Sequence, residues 1–411
     1  MTQGCNARGA RARRPPALSL SLAWLALICC VAGSRAALAR ARVVTAGTTP
    51  VARPGVQTHA QTHAQTHAHA HAHAHALYPQ VDRLLARMTI QQKIGQMVMA
   101  PIESVAATGR IGGVLVFGSD VVSPRQGRAL LASLQRAEAV PLLVAVDQEG
   151  GDISTMSGGG GAPAMLSPAR YGAMRSAGRV YRDALATGRA LRSLGVTMNL
   201  APVLDVLVDP ASPIGDRSYG QDPALVARLG TAAIRGYQDA GVAATAKHFL
   251  GLGSSPVESH HGLPTVRRTA TQLDRVELAP MRAAIGAGVD ALMVTHAAIP
   301  ALDPSGAPAS LSRAIVTGVI RRTLGYGGLI MTDSLAMGGL GAHITSIQDA
   351  AVRAVRAGDD MVLIAVDAPT IRITLTLLDH AVFTGRIPVA TIDAAVRRIL
   401  TLKAKLGLLP R

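Results

Sequence analysis

The sequence predicts a single (β/α)8 barrel over residues 77–411. Three observations carry that prediction. Short apolar or β-branched runs recur eight times along this stretch. The longer segments between them place apolar residues at helical spacing. The 335 residues contain no second linker, and α/β barrels of this length are ordinary single domains.

Taken in order, the strand-like runs are 96–102, 111–117, 141–146, 196–206, 242–249, 290–299, 328–332 and 360–366. Amphipathic stretches at 125–138, 172–194, 223–240, 273–287 and 347–357 supply the alternating helices. Strand alternating with helix implies a parallel sheet, and eight repeats suit a closed barrel better than an open sheet. No G-x-G-x-x-G follows the first run, which argues against a dinucleotide-binding open sheet. The glycine cluster at 158–161 has no lysine to cradle a phosphate, so it reads as a flexible loop.

Ahead of the barrel lie two segments of a different kind. Residues 8–14 are arginine-rich, 18–33 form an apolar run, and Ala37-Leu38-Ala39 offers a small-x-small cleavage site. This is the layout of a secretory signal peptide over 1–39, and the run of about 16 residues is short for a membrane span of roughly 20. The expectation is a secreted or envelope-associated protein, with a retained anchor as the alternative. Residues 40–76 read as a disordered His/Ala-rich linker holding seven of the thirteen histidines. Divalent metal would bind there adventitiously through neutral imidazoles.

Composition narrows the function classes. With 49% apolar and 16% charged residues the chain can bury a large core. The net charge is +16, yet aromatic residues make up only 2%, so the interleaved basic and stacking residues of a nucleic-acid binder are missing. Loss of residues 1–39 would remove five arginines and no acid, leaving +11. It would also remove Cys5, Cys29 and Cys30, the chain's three cysteines. A disulfide scaffold, a thiol nucleophile and a cysteine-ligated metal are then excluded for the remainder.

In a barrel, chemistry gathers where strands end. Six of the eight runs end in ionisable groups: Asp147 with Glu149, Asp205, Lys247 with His248, His296, Asp333, and Asp367. That is more than packing requires and points to an active site at one mouth.

Five motifs then resemble one family. They are Val146-Asp147-Gln148-Glu149-Gly150-Gly151, Asn199-Leu200-Ala201-Pro202-Val203-Leu204-Asp205-Val206, Gly215-Asp216-Arg217-Ser218-Tyr219-Gly220, Lys247-His248-Phe249 and Met331-Thr332-Asp333-Ser334-Leu335-Ala336-Met337. In order and spacing they are similar to the bacterial β-N-acetylhexosaminidases of glycoside hydrolase family 3, over essentially all of 80–411. The resemblance implies a barrel enzyme that removes terminal β-linked N-acetylglucosamine with retention, through a covalent glycosyl-enzyme, without a metal or organic cofactor. It implies Asp333 as nucleophile, His260 as general acid/base and Glu258 as the acid that holds it. It implies Asp147, Arg217, Lys247 and His248 as sugar-binding residues.

The residues carry a matching logic by themselves. A retaining glycosidase needs a carboxylate at the anomeric carbon and a proton donor on the leaving-group side. Asp333 ends an apolar run and should be held rigidly. A histidine can give and then take a proton near neutral pH, and an adjacent carboxylate sets its tautomer. His261 competes for the role of His260, Lys247-His248 has the alternative of a structural ion pair, and Glu149 reads as structural. The chain departs from the family's usual Lys-His-Phe-Pro-Gly-His-Gly at Leu250 and Leu252. Asp152 replaces the arginine that usually follows Glu-Gly-Gly, Glu258 stands where Asp is usual, and Ser334 replaces a second acid. These departures keep open a family 3 β-glycosidase or phosphorylase of other sugar specificity, or a catalytically weakened sugar-binding homologue. The expected partner is an N-acetylglucosamine-containing glycan, with no nucleic acid, and the chain is expected to be a monomer.

Overall fold

The structure is a computed structural model and describes residues 78–410. The leader and the His/Ala-rich linker expected from the sequence lie outside the described residues. Ten strands are present among these residues. β1 (Val98–Pro101), β2 (Gly113–Leu115), β3 (Leu143–Val146), β6 (Met198–Asn199), β7 (Ala243–Phe249), β8 (Ala291–Val294), β9 (Leu329–Ser334) and β10 (Met361–Leu363) close into a barrel. Their order around it is β1-β10-β9-β8-β7-β6-β3-β2, every pairing is parallel, and β1 pairs with β2 to complete the ring. All eight predicted runs therefore contain a barrel strand. β4 (Gln148–Gly150) and β5 (Ile153–Ser154) add a small antiparallel hairpin above the end of β3.

The outer helices start where local chemistry favours it. Ser123-Pro124, Ser167-Pro168 and Asp222-Pro223 place a capping side chain before a proline that needs no donor. They open the helices Pro124–Ala137, Pro168–Met174 and Pro223–Asp239. Asp367, expected at the mouth as a strand-end acid, instead caps the helix Ala368–Phe383 by accepting from Thr370 N at 3.0 Å. Among the described residues no helix is long and apolar enough to cross a membrane.

Three local expectations are corrected. The predicted helix 172–194 is two helices, because Arg175 turns left-handed (φ 52°) and Ser176 caps a new helix, Ala177–Leu194. The stretch 273–287 likewise breaks into Ala270–Arg275 and Leu278–Gly286. The long run 196–206 yields only two residues of strand: Pro202 offers no N–H to a ladder, and pairing with β7 continues only as an isolated bridge from Val203 to Lys247. The glycine cluster is more than a flexible loop, since a Cβ on Gly159 would overlap the Val121 carbonyl oxygen.

Buried apolar residues form two clusters, one around β1–β3 and the last helices, the other around β7, β8 and the helix Pro223–Asp239. The strand ends need polar anchoring as well. Asn199, fully buried, accepts from Gln148 N at 3.0 Å and donates to Gln148 O at 2.9 Å, so one amide secures the backbone between Asp147 and Glu149. Asn199→Ala removes the side-chain partner of the Gln148 N–H and leaves the Gln148 carbonyl with the longer bond from the Tyr237 hydroxyl at 3.3 Å. It is expected to lower the unfolding free energy by about 2–4 kcal/mol in urea titrations. A loss below about 0.5 kcal/mol would show that this anchor is redundant.

Candidate active site

The parallel barrel sends the C-terminal ends of its strands to one mouth. A cavity of about 520 Å³ opens there. Asp333, His260, Glu258, Asp147, Arg217, Lys247 and His248, the seven residues singled out from sequence, all line it.

Lys247, near the C-terminal end of β7, lines the cavity and is buried. Its ammonium lies 2.6 Å from Asp147 Oδ1 and 2.7 Å from Glu149 Oε1. Glu149 also takes a two-pronged hydrogen bond from Arg217, with Nε and Nη2 each at 2.8 Å. Burial alone would raise the Glu149 carboxyl, but Lys247 and Arg217 outweigh it and hold it at about 2. Burial works against the Lys247 ammonium, yet Asp147 and Glu149 keep it above the ordinary lysine value. Glu149 is therefore the shared anchor of both cations, within the cavity wall and not beyond it.

His248 is set by a second buried acid. Asp205 Oδ2 accepts from His248 Nδ1 at 2.7 Å and from the His248 amide at 3.1 Å, while Oδ1 accepts from Leu252 N at 3.0 Å. A carboxylate accepts, so Nδ1 carries hydrogen and Nε2 is the nitrogen left for a ligand. The peptides Lys247–His248 and Phe249–Leu250 are cis. Of the departures, Leu250 is fully buried in the apolar core, Leu252 lines the cavity, and Asp152 is exposed.

Asp333 projects from β9 with Oδ1 accepting from Ser334 N at 2.8 Å. Burial pushes its carboxyl upward, but His248, His296, the Ser334 amide and Lys247 bring it below the usual carboxylate value, favouring the anion. His296 lies beneath. Its Nε2 is 2.9 Å from the Ser334 carbonyl, which can only accept, so that nitrogen carries hydrogen and Nδ1 accepts from Ser310 at 2.7 Å. Burial lowers the His296 imidazole below its usual value, against the pull of the Asp333 carboxylate.

The opposite wall is a loop. Glu258 O accepts from the amides of His261 (3.0 Å) and Gly262 (3.1 Å), closing a tight turn. Glu258 holds His260 twice, through the amide at 2.8 Å and through Nδ1 at 3.0 Å, leaving Nε2 free to exchange a proton. Burial opposes the Glu258 charge, but His260 lowers its carboxyl overall. His261 Nδ1 stands 3.8 Å from Glu258, and its side chain, 85% exposed, is outside the cavity lining. The loop rests on the turn after β9: Gly339 N donates to Ser259 O at 2.7 Å, and a Cβ on Gly338 or Gly339 would overlap the His260 or Ser259 carbonyl.

A rigid anionic carboxylate facing an imidazole with its own carboxylate can support nucleophilic attack and proton shuttling in one cavity. Among the described residues, no group of three or more His, Cys, Asp or Glu could hold a metal ion. Sequence reasoning undervalued Glu149, Asp205 and His296. Each was visible as a strand-end ionisable group, but their partners lie far away along the chain.

Comparison with known proteins agrees with this fold. Residues 89–402 match the "Glycosyl hydrolase family 3 N terminal domain". The chain belongs to glycoside hydrolase family 3. This family 3 chain is 35% identical over 266 residues to a β-hexosaminidase of Thiobacillus denitrificans, covering 62% of this chain and 71% of that one. It is 32% identical to β-hexosaminidase LpqI of Mycobacterium tuberculosis, covering 77% and 84%. Among solved structures it is similar to a family 3 β-N-acetylglucosaminidase from Paenibacillus, with a TM-score of 0.75 and 41% identity. That match covers 78% of this family 3 chain but only 63% of the Paenibacillus chain.

The Glu149 network has a pH signature. Its folded carboxyl sits at about 2 against an ordinary 4.5, so its stabilisation is complete above about pH 4.5 and fades as pH falls toward 2. Between pH 5 and pH 3 the wild type is expected to lose about 2 kcal/mol more than Glu149→Gln in urea unfolding. The variant itself, with Arg217 stripped of its acid and Lys247 left to Asp147 alone, should be about 3–5 kcal/mol less stable at pH 7. Parallel acid limbs for the two proteins would remove Glu149 from this role.

Proposed function

We propose that this family 3 glycoside hydrolase is a retaining exo-β-N-acetylglucosaminidase. The observation that carries the reading is the Glu258–His260 pair in the same cavity as Asp333. In the first step the Asp333 carboxylate attacks the anomeric carbon and the glycosidic bond breaks, forming a glycosyl ester. The leaving oxygen takes a proton from His260 Nε2, and Glu258 stabilises the charged imidazole that exists beforehand. In the second step His260 takes a proton from water as the water attacks the ester, which frees Asp333 and keeps the β configuration. Asp147, Arg217, Lys247 and His248 hold sugar hydroxyls, with Glu149 bracing Arg217 and Lys247 and Asp205 orienting His248.

The β-hexosaminidase names of the relatives support the sugar class. The reading extends to an exported protein acting on peptidoglycan fragments, supported by the leader-like segment 1–39. A panel of aryl glycosides, assayed with and without inorganic phosphate, tests both sugar and acceptor. The expected result is turnover of the N-acetylglucosaminide that is independent of phosphate. Preference for a glucoside, or dependence on phosphate, would overturn it.

Two substitutions probe the roles. Asp333→Asn is nearly isosteric but cannot form the ester, so kcat should fall by at least about 10³-fold. Retention of a tenth of the activity would exclude Asp333 as nucleophile. His260→Ala should slow cleavage of a sugar–sugar bond by about 10²- to 10⁴-fold, while pre-steady-state glycosylation by a dinitrophenyl sugar stays near wild type. His261→Ala should show neither effect. If His261→Ala carries the leaving-group dependence instead, the donor is one residue further along.

A further inference from the structure

A second cavity, of about 490 Å³, lies at the N-terminal ends of β9 and β10, on the face away from the mouth. Arg313, Arg321, Arg322, Arg356 and Arg398 line it. They arrive from three elements: the π-helix Ala314–Thr323 with its cap Arg313, the last turn of the helix Ile347–Ala357, and the helix Val389–Lys405.

Two acids share the wall, and neither neutralises the set. Asp360 is already engaged: it pairs with Arg321, accepts from Arg398 Nη1 at 2.8 Å, and accepts from Ile330 N at 2.8 Å. Asp359 is 1% exposed, and neither carboxylate oxygen has a hydrogen-bond partner. Burial, with Asp360 beside it, pushes the Asp359 carboxyl well above the usual range, which favours a neutral acid with an O–H to donate.

The donors are in surplus. Arg313 reaches only the Arg356 carbonyl, at 3.3 Å. The guanidinium groups of Arg322 and Arg356 have no hydrogen-bond or ion-pair partner among the described residues, and the Nε of Arg398 is buried and unpartnered. The helix Val389–Lys405 begins at the rim, where Ala390 and Thr391 line the cavity and Pro388 supplies no side-chain cap. Its first amides add the donor set and partial positive charge that helix N-termini offer to anions.

We propose that this cavity is a binding site for a phosphate-class oxyanion, either a free phosphate ester or a phosphodiester headgroup. A tetrahedral oxyanion presents several acceptors and at least one negative charge. Planar guanidinium forks bind it two-pronged, which suits it better than a single-acceptor ligand. The cavity volume leaves room for an organic group on the phosphate. Arg322 and Arg356 supply the charge that is not already committed to Asp360.

The test is calorimetric titration of the full chain, and of Arg322→Glu/Arg356→Glu, with inorganic phosphate, with glycerol 3-phosphate and with phosphatidylglycerol vesicles. The wild type is expected to bind saturably in at least one arm. The double variant should bind at least about tenfold more weakly, since each charge-assisted contact is typically worth that much. Aryl-sugar turnover should stay unchanged, because the cavity lies away from the mouth, and Arg322→Gln/Arg356→Gln, which adds no acid at either helix C-terminus, should keep the melting temperature within a few degrees. Binding of the soluble esters assigns a free phosphate; binding of vesicles alone assigns a headgroup. No binding in any arm, or equal binding by the double variant, overturns the site. Arg322→Gln/Arg356→Gln gives an intermediate loss if charge is the cause, and a loss equal to charge reversal would also overturn it.

Discussion

Closure of the barrel is the constraint on which the rest depends. An open parallel sheet leaves two unpaired edges, and pairing β1 with β2 removes both. Closure also brings every strand's C-terminal end to the same rim. Asp147, Lys247 and Asp333 are far apart in the chain, yet they line one cavity because each sits at or near the C-terminal end of β3, β7 or β9. The functional geometry is thus a by-product of how the sheet avoids an edge.

Charge balance then decides what the rim can do. Lys247 and Arg217 would be costly in a buried wall without acids, and Glu149 with Asp147 offsets them. Lys247 also helps keep Asp333 anionic despite its burial. Asp147, Glu149 and Asp333 can share one cavity with Glu258 because the first two are engaged with cations. The third, Asp333, is held by His248, His296 and the Ser334 amide.

The sequence made the strand count, the barrel class and the seven lining residues legible, because each depends on a local pattern or a short motif. What escaped it depends on distant partners or on backbone detail. Nothing near Glu149 announces that Arg217 and Lys247 will both turn to it. Ser176 looks like any serine in an amphipathic stretch until Arg175 turns left-handed and the helix restarts. Asp367 had the right position for the mouth, but a following helix claimed its oxygen for capping. The π-helix Ala314–Thr323 and the hairpin β4–β5 follow no simple periodicity, and neither was anticipated.

The seat of the Glu258–His260 turn on Gly338 and Gly339 has a wider meaning. That seat is the continuation of β9, a few residues past Asp333. The two sides of the cavity therefore share one hinge, and a shift of the post-β9 turn displaces both together. Only a bare backbone fits beneath the loop, so the spacing between the two groups is governed from below, by residues that would never touch a substrate. Variation at that hinge would reposition Asp333 and His260 while leaving the identity of every lining side chain unchanged.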